Sequence, residues 1–213
     1  MEIYLNTVSD LLLDALLKLM QINEFDNFRL VGGTSLSLQL GHRKSIDIDL
    51  FTDAEYGSID FEKIESILIK TFPYSESLFK GEVAMGKSFF IGNHKNDLVK
   101  LDMYYTDRFV FPPLLYNTIR LSSIEEISAM KLEVIGQGGR KKDYWDLHEL
   151  LENFSLDQMI DFYLKRYPYN YSKDDLLKEI VDFTHAENDF TPNCYRDKTW
   201  KLIKLDFEDL IKK

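Results

Sequence analysis

One cysteine, five prolines and ten glycines are all that this chain of 213 residues carries of the residue types that staple or interrupt a backbone. A lone thiol, Cys194, cannot close an internal disulfide, so the fold must be held by its core, and Cys194 itself reads as a buried or incidental thiol. Basic charge is in deficit as well: 26 lysines and arginines stand against 36 acidic residues, a net charge of −10. That balance argues against broad nonspecific affinity for nucleic acid or for an anionic membrane surface, although it permits a local basic patch. Long apolar runs are missing too. No segment approaches the roughly 20 consecutive apolar residues of a membrane span, and the first apolar helix is acidic and amphipathic, unlike a signal peptide. A soluble cytoplasmic protein without a membrane partner is the expectation. Internal repeats and low-complexity tracts are absent.

Hydrophobic residues make up 45% of the chain, ample for a packed interior. Over residues 2–22, Val8, Leu11, Leu12, Ala15, Leu16 and Leu19 fall on one helical stripe. A short strand over Phe28 to Val31 runs into Gly32 and Gly33, and a helix over Thr34 to Leu40 stops at Gly41. Ser58 is a candidate cap for a helix through Thr71, and strands are expected near Tyr74 to Lys80, Lys87 to Ile91 and Leu98 to Tyr105. Pro112 and Pro113 close the β-rich portion. Beyond them the pattern is helical: Ser123 with Glu126 and Ser155 with Gln158 resemble capping boxes, and helices are expected from Arg140 to Asn153, Lys173 to Ala186 and Thr199 to Ile211. The order of elements gives an α+β fold, a core over residues 1–117 followed by a helical C-terminal region over 118–213.

The chemistry concentrates between Leu30 and Asp53. From Ile46 to Phe51 the hydrophobic period is two, which puts Ile46, Ile48 and Leu50 on one face and Asp47, Asp49 and Phe51 on the other. The stretch Leu98 to Tyr105 repeats the arrangement, with Val99, Leu101, Met103 and Tyr105 opposed to Lys100, Asp102 and Tyr104. A carboxylate in an apolar run needs a reason, and divalent magnesium, with its demand for hard oxygen ligands, supplies one for Asp47, Asp49 and Asp102. In a two-metal site such carboxylates serve phosphoryl or nucleotidyl transfer. A Gly-Gly turn opening a helix adds unhindered backbone amides for triphosphate oxygens, and Arg43, Lys44 and Ser45 lie just before the carboxylate strand. Each part alone has a plainer reading, a turn or a surface Asp-x-Asp. Their succession in order is more specific than either.

Gly32-Gly33, thirteen residues, then Asp47-Ile48-Asp49 resembles the signature of the polymerase-β-like nucleotidyltransferase superfamily. Within it, GGTSLSLQLGHRKSIDIDLF resembles the AbiEii/AbiGii toxin family. The resemblance implies a polymerase-β-like core, a mixed sheet flanked by helices, whose helical C-terminal region completes the active site. It implies that Asp47 and Asp49 bind metal (Mg2+ or Mn2+), with Asp102 a third ligand by superfamily analogy. Gly32, Gly33 and Thr34 would hold the nucleoside triphosphate, with Arg43 and Ser45 assisting. A later lysine and aspartate complete the family's site, and Lys131 in ISAMKLEVIGQ and Asp143 in GRKKDYWDL match them. The implied function is transfer of a nucleoside monophosphate to an acceptor hydroxyl by a toxin of a toxin-antitoxin or phage-abortive system. The implied acceptor is tRNA or another macromolecule, and the implied partner is a cognate antitoxin.

Two of these residues also stand out unaided. Lys131 shares a helical stripe with Ile127, Met130, Val134 and Ile135, where an ammonium needs a phosphate or a carboxylate unless its head snorkels to water. Asp143 and Asp146 share a helical face and can anchor a lysine or a hydroxyl. The tract YLKRYPYNYSKDD interleaves Tyr163, Tyr167, Tyr169 and Tyr171 with Lys165 and Arg166, a composition that stacks bases in single-stranded RNA and equally serves packing. His42, His94, His148 and His185 have no metal-like spacing. The competing functions are a noncatalytic nucleotide-binding regulatory module and a small-molecule nucleotidyltransferase of the antibiotic-modifying kind.

Overall fold

In the computed structural model, which describes residues 3–78 and 85–212, the first helix starts later than its apolar stripe. Helix α1 spans Asp10–Leu19 because Ser9 caps it, its hydroxyl accepting from the Leu12 amide at 3.2 Å. Two units follow from the chain's contacts: one comprises Val8–Ser35 and Ser45–Ser122, the other residues 3–7, Leu36–Lys44 and 123–212.

The first unit is built on a seven-stranded mixed sheet. Its strands are β1 (Arg29–Leu30), β2 (Asp47–Thr52), β3 (Tyr74–Ser77), β4 (Gly86–His94), β5 (Asp97–Tyr105), β6 (Leu114–Tyr116) and β7 (Ile119–Leu121), in the order β3-β4-β5-β2-β1-β7-β6. Strand β2 is central, antiparallel to β1 and parallel to β5. Ile48, Leu50, Leu101 and Met103 are fully buried and make the apolar face. Helix α1 packs on β2, β4 and β5 through buried Leu12, Ala15, Leu16 and Leu19. Helix α3 (Phe61–Thr71) packs on β3 and β4. Asp60, not Ser58, caps it, accepting from the Lys63 amide at 2.8 Å. Of the strand expected over Tyr74 to Lys80, Phe79 and Lys80 lie outside the described residues.

The structure departs from the sequence expectation at Ile46 and after Pro113. Ile46 precedes β2 and is 65% exposed, so it does not extend the apolar face. The β-rich portion also does not end at Pro112 and Pro113: the hairpin β6-β7 follows them, and β7 pairs parallel with β1 through Leu30 and Leu121. Two three-residue strands are too short for a periodicity to register.

The second unit is helical. Helix α2 (Gly32–Leu40) begins in the first unit and enters the second at Leu36. The others are α4 (Ile124–Gly136), α5 (Lys141–Leu150), α6 (Leu156–Arg166), α7 (Lys173–Glu179) and α8 (Trp200–Ile211). They close around Leu36, Leu132, Trp145, Tyr163 and Phe207, with Trp145 stacked on Trp200 at 5.7 Å. Ser155 and Gln158 form the expected capping box. Ser123 caps α4 through the Glu126 amide, but the Glu126 side chain is instead paired with Arg166, both fully buried. Helix α7 ends at Glu179, well short of Ala186. Among the described residues no helix is long and apolar enough to cross a membrane.

Candidate active site

In the first unit, β1 delivers the chain to Gly32, whose φ of +65° is a left-handed conformation that suits glycine. The Val31 amide donates to the Asp49 carbonyl at 2.9 Å and locks the turn to β2. A β-carbon at Gly32 would stand 2.7 Å from Asp49 Oδ2, so the bare glycine is what lets the carboxylate lie against the turn. Thr34 is fully buried; its hydroxyl donates to the Asp47 carbonyl and lies 2.7 Å from Ser45 Oγ. These contacts fix the start of β2 on the first turn of α2. Its opening amides have no intrahelical carbonyl to bond and meet an anion favourably.

The parallel register of β2 and β5 sets Asp47 beside Lys100 and Asp49 beside Asp102. Side chains at paired positions share a face, so the three aspartates lie on one side of the sheet, half-buried, as the alternation requires. Asp102 is held at both oxygens: Ser88 Oγ donates to Oδ1 at 2.5 Å and Lys100 Nζ to Oδ2 at 2.5 Å. Ser88 Oγ is also 2.9 Å from the Tyr104 hydroxyl. Burial works against charge on Lys100, yet the hydrogen bond to Asp102 and the charges of Asp102, Asp47 and Asp49 outweigh it and raise its pKa.

Asp47 and Asp49 offer hard oxygen donors on rigid strand positions beside a glycine cradle, which fits a magnesium or manganese ion that completes its shell with water and phosphate. Among the described residues, no three carboxylate, histidine or cysteine side chains converge as a ready-made ligand set. Asp102 has both oxygens engaged, one by Lys100 and one by Ser88.

The second unit holds a separate buried charge cluster. Lys131 on α4 lies 2.6 Å from Asp143 Oδ1 and 2.7 Å from Asp146 Oδ2, both on α5. Asp146 is fully buried and also accepts from Arg43 through Nε at 2.6 Å and a terminal nitrogen at 2.8 Å. Its Oδ1 lies 2.8 Å from His42 Nε2. Asp143 accepts the Arg140 amide at 3.1 Å, which closes the first turn of α5. Burial pushes the Asp146 carboxyl up, but Arg43 and Lys131, with the hydrogen bonds from Arg43 and His42, hold it well below the usual range. Burial lowers Lys131, and Asp143 and Asp146 more than restore it, so its pKa is raised despite Arg43.

Each residue singled out from sequence now has a position. Gly32, Gly33, Thr34, Ser45, Asp47, Asp49 and Asp102 belong to the first unit; Arg43, Lys131 and Asp143 belong to the second. Lys131 has the carboxylates its apolar stripe called for, while Val134 of that stripe is exposed. In the tyrosine tract, Tyr163, Arg166 and Tyr167 are buried and serve packing, whereas Tyr169 is 95% exposed. Sequence reasoning missed the Lys100–Asp102 pair and the convergence of Arg43 and His42 on Asp146. The first was readable as opposite charges two apart on one strand face; the second joins residues about a hundred positions apart and left no local signal.

Comparison with known proteins places these clusters in context. A family model described as "Nucleotidyl transferase AbiEii toxin, Type IV TA system" matches residues 14–213. The chain is 24% identical over 203 residues to an uncharacterised protein of Aquifex aeolicus (strain VF5), covering 93% of each. Its fold is similar to that of MenT4, a nucleotidyltransferase toxin from Mycobacterium tuberculosis H37Rv, with a TM-score of 0.63 at 14% identity over 94% of this chain and 82% of that one. It is also similar to an antigenic nucleotidyltransferase-like protein from Paracoccidioides brasiliensis, at a TM-score of 0.50 and 19% identity over 81% and 93% of the two chains.

Proposed function

We propose a reaction and its residues from one premise: this chain belongs to the AbiEii family of nucleotidyl transferase toxins of type IV TA systems, whose model spans residues 14–213. It is a nucleotidyltransferase with the mixed sheet and flanking helices of that fold. In our reading it takes a nucleoside triphosphate and a divalent metal ion. An acceptor hydroxyl oxygen bonds the α-phosphorus, the α–β bridging bond breaks, pyrophosphate leaves, and the hydroxyl proton passes to solvent. Asp47 and Asp49 hold the metal, which when bound supplies charge neutralisation on the phosphates and activation of the hydroxyl. The backbone at Gly32, Gly33 and Thr34 receives the triphosphate oxygens, where a helix start without a β-carbon lets them approach. Thr34 and Ser45 act through the hydrogen bonds that seat β2 on α2. In the second unit, Lys131 is the cation we assign to phosphate, with Asp143 as its positioning partner and Arg43 held in the same charge cluster.

The observation that carries this reading is the Asp49 carboxylate lying against Gly32, one turn and one strand locked together. A cellular macromolecule with a free hydroxyl, such as tRNA, is the acceptor we favour, with a separately encoded antitoxin as the opposing partner. The test is to incubate the protein with each α-labelled nucleoside triphosphate, Mg2+ or Mn2+, and total RNA. Label on RNA that depends on Asp49 supports the reading. Tight nucleotide binding without transfer points instead to a regulatory module, and label on an aminoglycoside but not on RNA to a small-molecule enzyme.

A further inference from the structure

We propose that Lys100 is a positioning residue that fills the cation's place at Asp102 and so governs how readily that carboxylate is given up to an entering divalent ion. The inference rests on the reading of Asp47 and Asp49 as metal ligands.

The register of β2 and β5 puts three carboxylates on one sheet face, with Asp49 directly beside Asp102. Neighbouring strands lie only about 4.8 Å apart, so like charges at paired positions repel. Lys100 stands beside Asp47 but sends its ammonium along its own strand to Asp102 Oδ2, 2.5 Å away. One positive charge is thereby lodged in a group of three negative ones. Ser88 holds the other Asp102 oxygen at 2.5 Å and is itself close to the Tyr104 hydroxyl, so the carboxylate is fixed from both sides. An ammonium and a divalent cation cannot use the same oxygen without strong mutual repulsion. Binding of one therefore opposes binding of the other, and by reciprocity removal of Lys100 strengthens metal binding by the amount it formerly opposed it. Lys100 thus occupies one oxygen of a carboxylate that shares its sheet face with Asp47 and Asp49.

The experiment is a titration of Mn2+ into the full chain without nucleotide, with free Mn2+ followed by electron paramagnetic resonance and folding checked by thermal unfolding. Lys100→Met is expected to bind Mn2+ on the order of tenfold more tightly than wild type. Lys100→Arg, which keeps the charge, is expected to stay near wild type. The double variant Lys100→Met with Asp102→Asn is expected to lose the gain, since the effect acts through Asp102. Unchanged or weaker binding in Lys100→Met, or a gain that survives in the double variant, overturns the proposal. If Asp49→Asn abolishes Mn2+ binding while Lys100→Met changes nothing, the metal reading stands and the role of Lys100 falls. If no variant binds Mn2+, both fall.

Discussion

Replacing Gly32 by alanine asks a β-carbon to stand 2.7 Å from an Asp49 oxygen, at a φ of +65° that side-chain-bearing residues rarely adopt. The backbone term alone is about 1–2 kcal/mol. Gly32→Ala is therefore expected to lower stability by about that much in urea unfolding and, because Asp49 must shift, to depress nucleotidyl transfer far more than a loss of that size in stability explains. The buried cluster around Asp146 makes a different demand. Asp146→Asn leaves Arg43 and Lys131 with an uncompensated share of charge, and breaking a buried pair in this way costs roughly 3–5 kcal/mol. The pH dependence follows from the two shifts. Asp146 has a depressed pKa, so its contribution is present above the ordinary carboxyl value of 3.8 and is lost as pH falls through the depressed one. Lys131 has a raised pKa, so its contribution is full below 10.5 and is lost as pH rises through the higher folded value. Urea unfolding of wild type and Asp146→Asn across pH is expected to show a wild-type advantage that persists at neutral pH, shrinks in acid below the ordinary carboxyl range, and weakens again only in alkali above 10.5.

At the level of elements, the contact that sequence did not foretell is the one most open to a stability test. Leu121 in β7 is fully buried and pairs with Leu30 in β1, the strand that leads into Gly32. Leu121→Ala is expected to lose roughly 2–5 kcal/mol in urea unfolding, the range for a large-to-small core change, whereas a surface-facing hairpin would lose almost nothing. The elements that were legible are those whose pattern is local. Asp47 and Asp49 alternate with Ile48 and Leu50, and Asp102 alternates with Leu101 and Met103, so facing followed from a period of two. The Ser155–Gln158 cap was legible because its two members are only three positions apart. Ser9 cut α1 short because a cap outranks a hydrophobic stripe at a helix start. What stayed hidden depends on pairing between distant strands or helices: β1 against β7, and Arg43 and His42 against Asp146. Chain order favours pairing of consecutive strands, but it does not fix which distant strands become neighbours.

Taken as a whole, the molecule combines a sheet that presents carboxylates beside a glycine turn with a helical unit that holds one buried cluster of paired charges, within a family of nucleotidyl transferase toxins. The role proposed for Asp47 and Asp49 is to support attack on the α-phosphorus of a nucleoside triphosphate. Parallel reactions with α-labelled and γ-labelled triphosphate, Mg2+ and total RNA, run with wild type and with Asp49→Ala shown to be folded by circular dichroism, address it directly. The α-label is expected to join the acceptor, the γ-label to leave as pyrophosphate, and Asp49→Ala to transfer neither. Transfer of the γ-label to the acceptor, or undiminished α-label transfer by Asp49→Ala, would contradict it.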